Sequence, residues 1–145
     1  MKNKKGSMHI KFSTTLEDSS QLGDITIYDN IENGFKNLHL NYEENPLNLI
    51  HQNESRHKDD KEWSHWGVGL TAASMCCSKI WILTTRYKIN NKFKCVRITF
   101  NWRDMVENNT FIPKSKEISY DEYKKINIYP TGSVLEYKAV SYTHL

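Results

Sequence analysis

The sequence lacks any apolar run long enough to cross a membrane. A membrane-spanning helix needs about twenty consecutive apolar residues, and no such stretch occurs. The first residues, MKNKKGSMHIKF, are basic but have no apolar core of the kind that a signal peptide requires. These absences predict a cytoplasmic protein with no membrane partner.

Cysteine is also scarce, with three residues at Cys76, Cys77 and Cys95. Their number is odd, and an adjacent pair does not easily bridge to itself, so the sequence argues against a secreted disulfide framework. Because Cys76 and Cys77 lie in a run of small apolar residues, they fit inert packing better than thiolate chemistry. The expectation is three free thiols, buried or half-buried.

The composition favours one folded domain, and its small positive net charge permits an anionic partner without requiring one. Of its 145 residues, 38% are hydrophobic and 12% are aromatic, which is enough to form a hydrophobic core. Twenty Lys and Arg against seventeen acids give a formal charge of +3, with basic residues concentrated between 79 and 97. Heavy use of Lys, Asn and Ile indicates an AT-rich bacterial or phage genome.

The end of the chain reads differently from the rest. Residues 139–145, AVSYTHL, resemble a translated sequencing-adapter tail of metagenomic reading frames. The sequence therefore predicts a single domain over 1–138 and treats 139–145 as a non-native tail, which takes no part in site arguments.

The segment 79–102, KIWILTTRYKINNKFKCVRITFNW, predicts a β-hairpin whose register can be derived. If Asn90-Asn91 is a two-residue turn, the apolar positions on the two strands coincide, because side chains alternate between faces with period two. The derived pairs are Ile89 with Lys92, Tyr87 with Lys94, Thr85 with Val96, Leu83 with Ile98 and Trp81 with Phe100.

The other face of this hairpin is polar and cationic, without a carboxylate from either strand. Its candidate binding residues are Arg86, Lys88, Phe93 and Arg97. Cations meet phosphates and an aromatic ring stacks on bases, so this combination suits nucleic acid or a nucleotide. The alternative is an ordinary solvent-facing surface, since one face of an antiparallel strand pair is usually exposed to solvent.

Other segments complete the expected fold class, α+β. Short strands are predicted at 9–13, 24–29, 38–42, 126–129 and 133–138, a small-residue helix at 68–78, and a further helix from a capping box at Ser119 and Glu122. Together these patterns predict a mainly antiparallel sheet with a central β-hairpin at about 79–102 and one to three short helices.

A histidine-rich stretch offers a candidate metal site at His51, His57 and His65, near several carboxylates. The segment from Asn48 to His57 resembles the second half of an HNH nuclease motif, in which the later groups hold a divalent metal against phosphate. The upstream candidate for the general base, His39, is not preceded by Asp. The alternative interpretation is solvated loop histidines.

The sequence supports three functional hypotheses. The first is a small soluble binding module, derived from a phage or mobile element, that engages nucleic acid, a nucleotide or an acidic protein surface through the basic hairpin face and needs no cofactor. The second is a small metal-dependent nuclease or hydrolase that uses the histidines, which alone implies a divalent metal. The third is an immunity-type or anti-defence protein binder.

Overall fold

A computed structural model describes residues 6–14, 22–32, 69–110 and 113–141. The described elements, in chain order, are β1 (Met8–Thr14), β2 (Leu22–Asp29), α1 (Gly69–Cys77), β3 (Ile80–Ile89), β4 (Lys92–Asn101), α2 (Trp102–Glu107), β5 (Lys114–Ile118), α3 (Tyr120–Ile126) and β6 (Gly132–Ser141). No helix within these ranges has the length and apolar character that crossing a membrane would take.

The six strands form one open antiparallel sheet in the order β1-β2-β6-β3-β4-β5. The expected α+β class with a mainly antiparallel sheet is confirmed. The hairpin of β3 and β4 takes the fourth and fifth places, and the middle pair of the sheet is β6 with β3. The predicted central position of the β3–β4 hairpin is therefore not confirmed.

The β3–β4 pairing runs from Ile80 with Asn101 to Ile89 with Lys92, in the register derived from the sequence. Asn90 and Asn91 form the turn with φ angles of 49° and 61°. Two consecutive positive φ angles suit a tight turn whose twist matches that of the strands, and Asn tolerates this conformation. Pattern and turn chemistry therefore specify the same register.

One face of the sheet, here called the apolar face, carries the main core. Its fully buried side chains include Trp81, Tyr87 and Phe100, and the Trp81 and Phe100 rings stack with centroids 4.9 Å apart. Helix α1 is tied to this face where Ser74 hydrogen-bonds the Tyr137 hydroxyl at 2.9 Å. Small residues in α1 permit such a close approach of helix to strand.

The opposite face, here called the polar face, is covered at one end by α3. Tyr123 is fully buried there against Cys95 and Ile118, and its hydroxyl donates to Gly132 O at 2.9 Å. The predicted capping box is present, with the Ser119 side chain accepting from Glu122 N and the Glu122 carboxylate accepting from Ser119 N. This second hydrogen bond lowers the pKa of Glu122 below its usual value.

Several predicted elements differ from the structure. The strand expected at 126–129 is wrong: α3 ends at Ile126, and 128–131 is a bend. Helix α2 and strand β5 were not anticipated, since neither shows a clear apolar period. Strand β6 continues through 139–141, within the segment assigned to the tail. The strand expected at 38–42 lies outside the described residues.

The start of β6 approaches the end of β2 very closely. Gly132 has a φ of +106°, and a Cβ built there would lie 2.0 Å from Asp29 O. Ser133 N and Ile31 N both donate to the Asp29 carboxylate, at 3.2 and 2.9 Å. A side chain at position 132 would therefore meet both an unfavourable backbone conformation and a backbone clash.

We expect Gly132→Ala to lower the free energy of unfolding by at least about 2 kcal/mol, because strain and steric clash add at this position. Urea denaturation checks this. Gly6→Ala is the matched control, since a Cβ there meets nothing within 4 Å, and it is expected to change stability by less than about 0.5 kcal/mol. Equal stability of the two variants would contradict the role given to Gly132.

Candidate binding face

The polar face brings three of the four predicted binding residues together and adds a ring from α3. The Arg86 guanidinium carbon lies 4.0 Å from the Phe93 ring centroid and 4.3 Å from the Tyr120 ring centroid. Lys88 Nζ lies 5.7 Å from the Phe93 centroid, and Lys124 Nζ lies 5.0 Å from the Tyr120 centroid. These five residues form what we call the cation–aromatic stack.

Arg86 is held inside this stack by a second anchor. Its Nη1 donates to Pro130 O at 2.9 Å, which ties the hairpin to the bend after α3. Its Nε is buried and has no hydrogen-bond acceptor among the described residues. The two rings beside it remain accessible, with Phe93 45% and Tyr120 41% exposed. Arg86 therefore positions the rings, and the rings present surface to solvent.

The thiol and phenol beneath the stack are not poised for acid–base chemistry. Burial raises the pKa of the Cys95 thiol, and the neighbouring Arg86 charge only partly opposes this. Burial also raises the pKa of Tyr123 to about 12, against a hydrogen bond from Asn127 that lowers it. Both groups stay protonated near neutral pH, so they are packing residues of this face.

Arg97, the fourth predicted binding residue, belongs to a row of alternating charges across three strands. Arg97 Nη2 lies 3.3 Å from Glu136 Oε2, and Lys138 Nζ lies 3.3 Å from Glu136 Oε1 and 3.2 Å from Asp24 Oδ2. Burial lowers the pKa of Lys138, but the hydrogen bond to Asp24 and the Glu136 charge outweigh burial and raise it overall. Neighbouring strands thus supply carboxylates that the hairpin itself lacks.

The Arg97–Glu136 contact is electrostatic rather than hydrogen-bonded. Glu136 Oε2 is buried and accepts no hydrogen bond in the part of the chain that the structure describes. The Glu136 carboxylate nevertheless neutralises the charge of Arg97 at 3.3 Å. Lys88, by contrast, has no ion-pair partner within the described ranges. The positive charge of the polar face is therefore more available at Lys88 than at Arg97, whereas Lys124 of the stack is itself paired with Asp121 Oδ1 at 2.9 Å.

Further cations surround these groups on the same face. Lys11 lies on β1, and Lys116 lies on β5 directly opposite Arg97. Neither forms an ion pair with a described residue. Lys114 lies 3.9 Å from Asp104 Oδ2, at the limit of an ion pair, and is 79% exposed. An anion that approaches this face meets several exposed lysines besides the stack.

The metal and cysteine predictions have different outcomes. His51, His57 and His65 lie outside the described residues, so the metal site stays a prediction. Among the residues described, no group of three or more His, Cys, Asp or Glu is arranged to hold a metal ion. Cys95 is buried as expected, but Cys76 and Cys77 are exposed. That part of the thiol prediction is wrong, because both residues lie in the last turn of α1, where their side chains are exposed to solvent.

Sequence reasoning missed Tyr120, Lys124 and Glu136 as parts of this face. Tyr120 is the first residue of α3, directly after the N-cap Ser119, so its position was available from the capping box. Its contact with Arg86 depends on how α3 lies on the sheet, and no local pattern gives that. Glu136 reaches the face through the β3–β6 pairing of residues 54 apart, Ile82 and Glu136.

Comparison with known proteins adds nothing to this geometry: no family model, curated protein or solved structure matches the chain.

We expect Arg86→Lys to lower the free energy of unfolding by about 1 to 2 kcal/mol, because lysine keeps the charge but loses the planar contact with both rings and the Pro130 hydrogen bond. Urea denaturation checks this. The control is Arg103→Lys, at an exposed i,i+4 pair with Glu107, where a change below about 0.5 kcal/mol is expected. If Arg86→Lys were as stable as the control, Arg86 would not hold the stack together.

Proposed function

We propose that this protein is a non-enzymatic binding module for single-stranded nucleic acid and that the cation–aromatic stack is its contact surface. The supporting observation is Arg86 held between two accessible rings, Phe93 and Tyr120, with Lys88 and Lys124 beside them. Aromatic rings stack on unpaired bases, and lysines neutralise the phosphates between them.

The chemistry of the stack favours unpaired bases over a duplex. Base faces in a duplex are covered by their neighbours, so a ring such as Phe93 gains contact only where a base is splayed out. Lys88 is exposed, and Lys124 is 52% exposed while its Nζ pairs with Asp121 Oδ1 at 2.9 Å, an exposed ion pair that a phosphate can replace. Flexible lysines follow an irregular backbone well, because a compact ammonium makes few geometric demands.

An acidic protein surface is the alternative partner, and its chemistry differs in one respect. Such a surface needs the cations of this face but gains little from an accessible Phe93 or Tyr120 ring. Binding that depends on the rings as well as on the lysines therefore separates the two partners.

We expect Phe93→Ala to weaken binding of a labelled single-stranded oligonucleotide by about 1 to 3 kcal/mol, the usual contribution of one stacked base. Lys88→Ala is expected to reduce the slope of log affinity against log salt by about 0.7, the value for one phosphate contact with a single strand. Fluorescence anisotropy over a range of salt concentrations measures both effects.

Lys92→Ala is the matched control for Lys88→Ala. Lys92 is exposed on the same hairpin but projects from the apolar face, opposite Ile89. Its replacement removes the same charge away from the stack and should leave affinity within about twofold of wild type. Equal losses at Lys88 and Lys92, with no loss at Phe93, would reject the stack as the binding surface and leave only a diffuse charge effect.

A further inference from the structure

The two edge strands of the sheet differ in how well they are protected from pairing with another strand. Strand β5, at one edge, carries Lys114, Lys116 and Glu117, and charges of this kind hinder edge-to-edge association. Strand β1, at the other edge, has the sequence MHIKFST, in which Lys11 is the one lysine and no carboxylate occurs. Residues 6–13 are all exposed to solvent. Within the described part of the chain β1 pairs only with β2, so its outer edge is open.

Three apolar side chains alternate along β1 and are exposed: Met8 by 70%, Ile10 by 47% and Phe12 by 63%. Ile10 lies opposite Ile27 and Phe12 opposite Ile25, and both of these β2 residues pack against the main core. Direct partners in an antiparallel pair project from the same face of the sheet. The three side chains therefore extend the apolar face beyond the core, to the open edge.

The backbone groups of these same three residues point away from β2. Asn30 N donates to Ser7 O at 3.3 Å, and Ser7 N donates to Asn30 Oδ1 at 2.7 Å, so Ser7 is directed towards β2. Backbone N–H and C=O groups alternate in direction along an antiparallel strand. His9 and Lys11 are therefore directed towards β2 as well, and the three apolar residues offer their N–H and C=O groups to a further strand.

Strand β1 is complementary to a second copy of itself in one antiparallel register. With a two-fold axis at Ile10, this residue lies opposite its own copy. Met8 then lies opposite Phe12, and each of these apolar pairs exchanges both N–H···O bonds. His9 lies opposite Lys11 on the other face. An axis at Lys11 would instead place two like charges directly opposite each other, and an axis at His9 would leave Phe12 without an apolar partner.

We propose that β1 is a dimerisation strand: two copies of this chain pair antiparallel through their β1 edges, in the register centred on Ile10, and continue the sheet across a two-fold axis. The second copy fits this edge because one register satisfies the outward backbone groups, matches the apolar side chains and keeps the two lysines apart. One strand of seven residues from each copy forms the interface. Interfaces below about 1,200 Å² are typically weak, so the dimer is reversible and depends on concentration. Dimerisation does not depend on the nucleic-acid binding proposed above.

Sedimentation velocity of the full chain between about 5 and 500 µM tests this proposal, and wild type is expected to shift from monomer to dimer over this range. Ile10→Lys is expected to weaken dimerisation about tenfold or more, because it places two like charges opposite each other at the axis. Val106→Lys is the matched control. Val106 is 59% exposed on α2, which follows β4 near the opposite edge of the sheet, and its replacement should leave dimerisation unchanged.

A second variant keeps the test decisive if Ile10→Lys does not fold, which circular dichroism shows. Met8→Lys changes the most exposed of the three apolar side chains and is expected to weaken dimerisation at least about threefold, because it removes the apolar contact with Phe12 of the other copy. Amide hydrogen exchange locates the contact. The Ile10 and Phe12 amides should exchange more slowly as the protein concentration rises, whereas the Lys11 amide, directed towards β2, should change little.

A monomer at every concentration would overturn the proposal. Slow exchange of the Ile10 amide in that monomer would show that another segment of the same chain pairs with β1, and fast exchange would show that the edge stays unpaired. A dimer that both lysine variants of β1 leave intact would also overturn it, because the copies would then associate through another surface.

Discussion

The pairing of β6 with both β2 and β3 is the constraint on which the rest of the described sheet depends. It joins the N-terminal strands to the hairpin, although Ser133 and Asp29 are 104 residues apart in sequence. Closing so long a loop costs entropy, which the burial of residues such as Val134 and Tyr137 offsets. Gly132 allows the close approach at the point where this pairing begins.

The same strand decides where the polar face is positive. In the observed register Glu136 projects onto this face beside Arg97, while Tyr137 projects into the core. A slip of one residue would exchange the two side chains, burying a carboxylate and exposing a ring. The core therefore fixes the register, and the register neutralises Arg97 while the charge of Lys88 stays available.

What the sequence predicts well is local. The hairpin holds both its period and its Asn90-Asn91 turn within twenty-odd contiguous residues, and the capping box at Ser119 needs only four. What it misses depends on contacts between distant segments: the Tyr120 ring on Arg86 requires the placement of a helix on a sheet, and Glu136 requires a non-local strand pairing. The sequence does not predict strand β5, because an edge strand made of Lys, Ser and Glu shows no apolar period.

The contacts of Arg86 link the placement of the two rings to the stability of the fold. Two cation–π contacts at accessible rings contribute about 0.5 to 1 kcal/mol each, and the hydrogen bond from Nη1 to Pro130 O adds to them. Because one guanidinium contacts both Phe93 and Tyr120, it holds the two rings in a fixed arrangement on the polar face. A ligand that stacked on rings fixed in this way would bind at a lower entropic cost than one that had to order mobile rings.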